Sequence, residues 1–119
     1  MSEEHHLNVA TGAMPAAQAV ALADLIAYQA GAVVSRTLVK KNAGTVTLFA
    51  FDVGQGLSEH TAPFDAIVEI LDGEAELTVG GKKVTARAGQ AVLMPANVPH
   101  ALNATTRFKM LLVMVRGAA

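Results

Sequence analysis

The stretch FDAIVEILDGEAELTVGGKKVTA, residues 64–86, decides the fold. Its first part, Phe64–Leu71, is rich in apolar and β-branched residues and ends at an Asp-Gly dipeptide, which is typical of a turn. Glu74–Val79 then alternates apolar and polar side chains and meets Lys82–Ala86 across two glycines, the signal of a two-residue β-hairpin. The stretch therefore predicts three consecutive antiparallel strands.

The flanking sequence continues the same pattern of short apolar runs separated by turn residues. Further strands are predicted at Val33–Val39, Thr45–Val53, Ala91–Met94 and Arg107–Val115. About seven strands at roughly ten-residue spacing, with no helical pattern between them, indicate an all-β antiparallel barrel or sandwich. We predict one domain over residues 13–119.

The N-terminal region has a different pattern. Residues 1–12 are polar, include His5 and His6, and are predicted to be a poorly ordered tail. Met14–Gln29 is Ala-rich, and Leu22 and Leu25 fall on one helical face. This segment predicts either a short helix or an extended arm that lies over the barrel, and the sequence leaves both open.

The composition excludes several classes of function. In 119 residues, 52% are apolar and 16% are charged, so the chain can bury a core. Nine basic against ten acidic residues argue against a nucleic-acid-binding protein. The absence of cysteine excludes disulfides, thiolate metal sites and cysteine nucleophiles. No stretch is long enough to span a membrane, and the acidic start does not resemble a signal peptide, so a cytoplasmic location is predicted.

Two histidines, His60 and His100, are the strongest candidates for chemistry, because each lies beside turn residues in the β-rich region. No catalytic Ser-His-Asp order, phosphate-binding loop or helical histidine pair is visible. The two histidines either line one pocket or are structural residues that bond to backbone carbonyls. Both alternatives stay open from the residues alone.

The spacing around His60 resembles the first motif of the cupin family, which runs Gly, five residues, His-X-His, Glu and a second Gly. Gly54, His60 and Gly73 stand at the matching positions. Ala62 and Ala66 stand where the motif has its second histidine and its glutamate.

The spacing around His100 resembles the second cupin motif. Gly89, Pro95 and His100 match it, while Asn97 replaces a turn glycine, and Asn also tolerates a positive φ. Ala104 stands at the motif's asparagine position. The resemblance covers about residues 33–115 and implies a small single-domain cupin, a double-stranded β-helix or jelly-roll barrel with a short N-terminal arm.

The resemblance also implies a divalent metal ion (iron, manganese, zinc or nickel) held by three histidines and one glutamate inside the barrel. Of these ligand positions only His60 and His100 carry a donor, and two neutral imidazoles do not complete a tight ligand set. Strand alternation points Asp65 and Glu69 away from Ala66. Two alternatives therefore stay open: His60 and His100 hold a metal ion, or the site contains no metal.

The pocket walls follow from alternation along the strands. Arg107 and Lys109 share one face of the last strand, so the alternate residues Phe108, Met110, Leu112 and Met114 are expected to point inward. Arg36 shares a strand face with two apolar residues and is expected either to bind a ligand carboxylate, to form an internal ion pair or to reach solvent. The predicted pocket comprises His60, His100, Ala62, Ala66, Met94, Phe108, Met110, Leu112 and Arg36.

Three functions are consistent with this pattern. The first is a small-molecule-binding cupin whose apolar cavity carries the two histidines, with no assignable reaction. The second is a metal-dependent dioxygenase, isomerase or decarboxylase that acts on a small organic acid. The third is a non-catalytic sensor or partner domain.

A homodimer is expected because Ile67 and Leu71 point away from the barrel interior and need cover. The N-terminal arm is the alternative source of that cover. The two residues therefore predict either a second copy or the arm on this face.

Overall fold

The computed structural model describes residues 8–9 and 14–116, and within them the regular structure is β-strand apart from one short 3-10 helix. The strands are β1 (Asn8–Val9), β2 (Val33–Lys41), β3 (Gly44–Phe51), β4 (Gly56–His60), β5 (Phe64–Val79), β6 (Lys82–Arg87), β7 (Ala91–Met94), β8 (His100–Asn103) and β9 (Phe108–Arg116). The rest of the predicted tail, with His5 and His6, lies outside the described residues. No helix in the described part is long and apolar enough to cross a membrane.

The long strand β5 organises the fold, because its two halves belong to different layers. The first half pairs with β7 and β9, and β9 continues through β3 and β2 to β1. The second half pairs with β6 and β8, and β8 pairs with β4. All these pairs are antiparallel except β1 with β2. The predicted jelly-roll barrel is confirmed.

The Asp-Gly dipeptide in the middle of β5 bends the strand and does not reverse it. The sequence pattern predicted two strands separated by a turn at Asp72-Gly73, and this prediction was wrong. The pairing register with β9 shifts between Ile70 and Asp72, as in a β-bulge. Gly73 has a φ of 77°, and a Cβ there would lie 2.0 Å from the carbonyl oxygen of Arg107. The dipeptide is therefore a corner at which β5 passes from one layer to the other.

The core lies between the two layers. Alternate residues of β5 (Ala66, Val68 and Ile70) are buried there, as strand alternation predicts. Phe108 of β9 is fully buried and stacks on Phe51 of β3, with ring centroids 4.5 Å apart. The stacked rings close one end of the barrel interior and form the floor of the cavity that is described in the next subsection.

The segment before β2 is an extended arm that contains one 3-10 helix, Leu22–Leu25. Ile26, only 4% exposed, packs on the outer face of β2 and β3 against Leu38 and Leu48. Leu71 of β5 is also packed against this cluster. The arm therefore covers part of the outer face of the barrel, including one of the two residues that were expected to need cover.

Polar contacts fasten the arm at Tyr28. Its hydroxyl donates to the carboxylate of Asp72, and the cations of Arg107 and Lys109 lie 5.0 and 5.1 Å from its ring centroid. Burial raises the pKa of Tyr28 well above its usual value, and the hydrogen bond to Asp72 raises it further. The Lys109 ammonium also donates to the carbonyl oxygen of Ala23 at 2.7 Å.

A second fastening point is Asp52, just after β3. Its carboxylate accepts hydrogen bonds from Arg107 Nε at 2.8 Å and from the Gly31 N–H at 2.7 Å. These hydrogen bonds lower the pKa of the Asp52 carboxyl to about 2, and the bond from Arg107 has the largest effect. The arm and the ends of β3 and β9 are thereby joined around one carboxylate.

Candidate ligand cavity and histidine pair

The two candidate histidines lie side by side on neighbouring strands, although 40 positions separate them in the sequence. His60 ends β4, His100 begins β8, and the two residues pair directly in the antiparallel register. Directly paired residues project from the same face of a sheet, so both side chains point to the barrel interior. The ring centroids are 4.4 Å apart and the ring planes are tilted by 70°.

Each imidazole is oriented by the same local hydrogen bond. Nδ1 of His60 lies 2.8 Å from the carbonyl oxygen of Ser58, and Nδ1 of His100 lies 3.1 Å from that of Val98. In both cases the carbonyl belongs to the residue two positions earlier. A carbonyl oxygen only accepts, so each Nδ1 carries the hydrogen. The two Nε2 atoms then face each other across 3.1 Å.

The Nε2 atoms open into a cavity between the two layers of the barrel. It measures about 420 Å³, counting its open mouth. His60 is exposed, whereas His100 is 7% exposed, so the mouth lies at the His60 end. The walls are otherwise apolar, and the lining residues are Leu57, His60, Ala62, Phe64, Ala66, Met94, His100, Leu102, Met110, Leu112 and Met114.

Two loops at this end of the barrel are joined to each other. The backbone N–H of Asn97 donates to the carbonyl oxygen of Ala62 at 2.8 Å, and that of Ala96 donates to the Asp65 carboxylate at 2.9 Å. Asn97 has a φ of 65°, the left-handed conformation expected for a residue that replaces a turn glycine. These bonds hold Ala62 beside the cavity.

Seven of the nine residues predicted for the pocket line this cavity. They are His60, His100, Ala62, Ala66, Met94, Met110 and Leu112. That these residues bind a ligand stays a prediction.

Phe108 and Arg36 do not line the cavity. Phe108 points inward but lies in the packed floor below it, against Phe51. Arg36 belongs to the opposite face of β2, where Leu38 is buried by the arm and not by the barrel core. Its guanidinium donates to the carbonyl oxygen of Leu25 at 2.9 Å. The alternation along β2 was correct, but the sequence did not show that its buried face is the outer one.

Sequence reasoning missed Leu57, Phe64 and Leu102 as lining residues. Leu57 and Leu102 lie on β4 and β8, two strands that were not predicted because they are short and flanked by turn residues and proline. They are directly paired with each other. The available signal was alternation at Leu102, which lies two residues after His100; Leu57 lies three residues before His60, with a register shift between them, so alternation gave no signal for it.

The donor set does not fit a tightly held divalent metal ion. No group of three or more His, Asp or Glu side chains converges anywhere in residues 14–116. Ala62 and Ala66 supply methyl groups where the resemblance expected donors, and Asp65 and Glu69 lie on the outer face. Two imidazoles leave at least two positions of a tetrahedral ion without a protein ligand.

The comparisons with known proteins agree with this architecture. A family model described as "Cupin domain" matches residues 47–116, more than half of the chain. A comparison with curated proteins gives no match.

Three solved structures illustrate the similarity. A conserved protein of unknown function from Streptococcus pyogenes is 37% identical, with 91% of this chain and 95% of that chain covered and a TM-score of 0.86. A cupin 2 conserved barrel domain protein from Leptotrichia buccalis is 43% identical over 79% of this chain and 46% of its own, with a TM-score of 0.77. A cupin superfamily protein from Desulfitobacterium hafniense is 29% identical over 89% and 97% of the two chains, with a TM-score of 0.84. With the family model and the fold in agreement, the chain belongs to the cupin family.

Proposed function

We propose that this cupin binds a small, mostly apolar molecule that carries one acidic or hydroxyl group, gripped by His60 and His100. The observation that carries the proposal is the 3.1 Å separation of the two Nε2 atoms, each on a ring whose Nδ1 donates to a carbonyl. When both rings are neutral, each Nε2 holds a lone pair and neither holds a hydrogen. The pair is then one proton short of a hydrogen bond.

A ligand O–H directed between the two Nε2 atoms supplies that missing hydrogen. A carboxylic acid serves best. At neutral pH it is ionised in solution, so it binds together with one proton taken up from solvent, and its carboxylate then accepts a charge-assisted hydrogen bond from the protonated pair. A hydroxyl group donates to one Nε2 at a time and gains less. An ester of the same acid has no hydrogen to donate and leaves the pair unsatisfied.

The remaining walls determine the rest of the ligand. Leu57, Leu102 and Leu112 provide fixed aliphatic surface, and three methionines, Met94, Met110 and Met114, provide flexible thioethers that adapt to irregular shapes. An aliphatic or small aromatic body of about the size of hexanoic acid fits this description.

A metal-dependent enzyme that acts on a small organic acid is the alternative, and one observation favours it. Metal-binding imidazoles usually donate their other N–H to a carbonyl or carboxylate, as both histidines do here. Against it stand the two-donor set and the apolar walls, which do not fit a resident ion. We therefore derive no reaction step, and the binding proposal has the stronger support.

Binding of hexanoic acid and of methyl hexanoate, measured by calorimetry and by NMR shifts at neutral pH, tests the proposal. The acid should bind at least tenfold more tightly than the ester, about 1.4 kcal/mol. Replacing the pair (His60→Ala with His100→Ala) should abolish that preference while circular dichroism shows the β-sheet retained. The matched control replaces the other two histidines of the chain (His5→Ala with His6→Ala) and should keep the preference.

Two results would refute the proposal. One is equal binding of acid and ester to the wild-type protein, and the other is a preference that survives in the double variant. Removal of divalent metals with a chelator before the titration distinguishes the alternative, because only metal-dependent binding disappears with the metal.

A further inference from the structure

A second, smaller pocket adjoins the cavity of the histidine pair. It measures about 180 Å³, counting its open side, and is lined by Gly44, Thr45, Phe64, Met114 and Arg116. Phe64 and Met114 also line the cavity, so these two side chains form a wall that the two spaces share. We call the smaller space the rim pocket.

The rim pocket lies at the open end of the barrel. The floor of the cavity is formed by Phe51, which ends β3, and Phe108, which begins β9. Gly44 begins β3 and Arg116 ends β9, so both lie at the end opposite the floor. The rim pocket therefore opens away from the packed core.

The pairing register places two polar side chains in this pocket. Thr45 pairs with Met114, which pairs with Ala66, a residue of the cavity wall. Directly paired residues project from the same face, so Thr45 lies on the inner face of β3. Arg116 follows Met114 by two positions and therefore lies on the inner face of β9. The rim pocket thus combines a hydroxyl and a guanidinium with apolar walls.

The hydroxyl of Thr45 has no hydrogen-bond partner in the protein. Its Oγ1 is buried, and no other buried side-chain nitrogen or oxygen in the described residues is left unsatisfied. A buried hydroxyl without a partner costs free energy, so such a group calls for an explanation. Because Thr45 lines the rim pocket, rotation about its χ1 gives the hydroxyl access to a ligand there. A ligand oxygen then accepts the hydrogen bond that the protein does not supply.

The guanidinium of Arg116 is available for a ligand. It lies over the ring of Phe64, 4.9 Å from the centroid, and the Arg116 backbone N–H donates to the carbonyl oxygen of Ala43 at 2.8 Å. In the described part of the chain Arg116 has no carboxylate partner, whereas Arg87 is paired with Glu74. A guanidinium carries five N–H donors in a planar fork that matches the two oxygens of a carboxylate. One guanidinium and one hydroxyl therefore suit a singly charged carboxylate.

We propose that the rim pocket binds the second carboxylate of a ligand whose first acid group lies at the histidine pair. This inference rests on the proposed function and adds a second anchoring group to that ligand. The ligand class is a dicarboxylic acid with an apolar chain: the histidine pair binds one end, Arg116 and Thr45 bind the other, and the shared wall contacts the chain between them. Met114, in that wall, is flexible and lets the chain pass from one space to the other.

The distance between the two anchoring sites makes the affinity depend on chain length. Thr45 lies in the layer that contains β3, and the histidine pair lies in the layer that contains β4 and β8. Packed sheets lie about 10 Å apart, so only a diacid of sufficient length reaches both sites. Once one end is bound, the other end has a high effective concentration at its own site, and the diacid then binds more tightly than a monoacid.

Calorimetry at neutral pH, in a buffer without carboxylates, tests the proposal with saturated acids of six, eight and ten carbons. Each dicarboxylic acid is compared with the monocarboxylic acid of the same length. For at least one length the diacid should bind at least tenfold more tightly to the wild type, and this ratio should differ between lengths. The length dependence needs no variant and so does not depend on whether a variant folds.

Three variants assign the effect to the rim pocket. Arg116→Gln should reduce the ratio to about one. Thr45→Val, which keeps the shape and removes the hydroxyl, should lower it about threefold, the loss expected for one hydrogen bond. The matched control, Arg87→Gln, removes the same charge from an exposed arginine on β6 outside both pockets and should keep the ratio. Circular dichroism checks that each variant is folded.

Two results would overturn the proposal. One is a ratio near one at every length in the wild type, and the other is a high ratio that survives in Arg116→Gln. Titration with acetate identifies the other source of a carboxylate. Saturable acetate binding that Arg116→Gln abolishes, together with a ratio near one, would show that the rim pocket takes a separate small acid.

Failure of this proposal is distinguishable from failure of the proposed function. If only the rim pocket fails, hexanoic acid still binds more tightly than methyl hexanoate, and the diacids gain nothing over the monoacids. If the histidine pair fails, the preference for acid over ester is absent in the wild type, and the bridging arrangement is refuted with it.

Discussion

Two buried alanines on the same strand allow the cavity to be tested by stability alone. Ala66 lines the cavity between Met94 and Met114, its partners on the two neighbouring strands. Ala75, nine positions later on β5, is fully buried in the packed core and paired with Ala86. Replacing each alanine with leucine adds the same three carbon atoms to the two environments.

The expected effects have opposite signs. At Ala66 the added carbons enter apolar empty space, and at about 0.8 kcal/mol per buried methylene they gain about 2.4 kcal/mol. Fixing a leucine rotamer costs about 0.5–1 kcal/mol, which leaves a gain of about 1.5 kcal/mol in the free energy of unfolding. At Ala75 there is no such space, and overpacking should cost about 1–3 kcal/mol.

Urea unfolding followed by circular dichroism measures both variants. With an m-value of about 1–3 kcal/mol/M, Ala66→Leu should raise the midpoint by about 0.5–1.5 M, and Ala75→Leu should lower it. Ala66→Leu should also abolish binding of hexanoic acid, because the leucine occupies the ligand volume. A loss of stability at Ala66 as large as that at Ala75 would refute the reasoning, since it would show that the space beside Ala66 is already filled.

Two further predictions concern charge and metal. Asp52→Asn should lower the free energy of unfolding at pH 7. The pKa of Asp52 is lowered to about 2 from an ordinary value of about 3.9, so its contribution is full above about pH 4 and is lost as the pH falls toward 2. Urea unfolding at pH 7, 4 and 2 should show the two proteins converging in acid, and an undiminished difference at pH 2 would contradict the assignment. The double variant Ala62→His with Ala66→Glu adds the two donors missing beside the histidine pair. Zinc at 100 times its dissociation constant should stabilise this variant by about 2.7 kcal/mol, and an equal effect of zinc on the wild type would show that two imidazoles suffice.

The fold was predictable because its signals are local. Alternation along β5 and β9 identified the inward residues, and the glycine pair between β5 and β6 identified a hairpin that the structure contains. The Asp-Gly dipeptide was misinterpreted because the same residues serve a reversing turn and a bulged corner. Which of these forms depends on whether β9 pairs across the corner, and that pairing is not visible in the local sequence.

The site was only partly predictable because its geometry depends on packing between distant segments. The spacing predicted that His60 and His100 approach each other, but it gave neither the 3.1 Å contact nor the two carbonyl bonds that fix the tautomers. The sequence assigned Arg36 to the pocket wrongly, because both faces of β2 are buried: the barrel core covers one face and the N-terminal arm covers the other. Alternation separates those faces but does not say which of them is the interior.

The resemblance predicted the fold better than the chemistry because its motif positions have two different physical roles. Gly73 and Asn97 stand where the backbone must adopt a positive φ, at a strand corner and in a loop beside the cavity. Such positions are required by any barrel of this shape, whatever it binds. Ala62 and Ala66 stand at positions that only a metal requires, and here they are free to change because no backbone corner depends on them. The chain therefore matches the motif at positions that shape the barrel and at the two donor positions, His60 and His100, that are adjacent across β4 and β8. Alanines at positions 62 and 66, in place of a histidine and a glutamate, leave more space and less polarity beside the pair, which supports the proposed binding of an apolar molecule with one polar group.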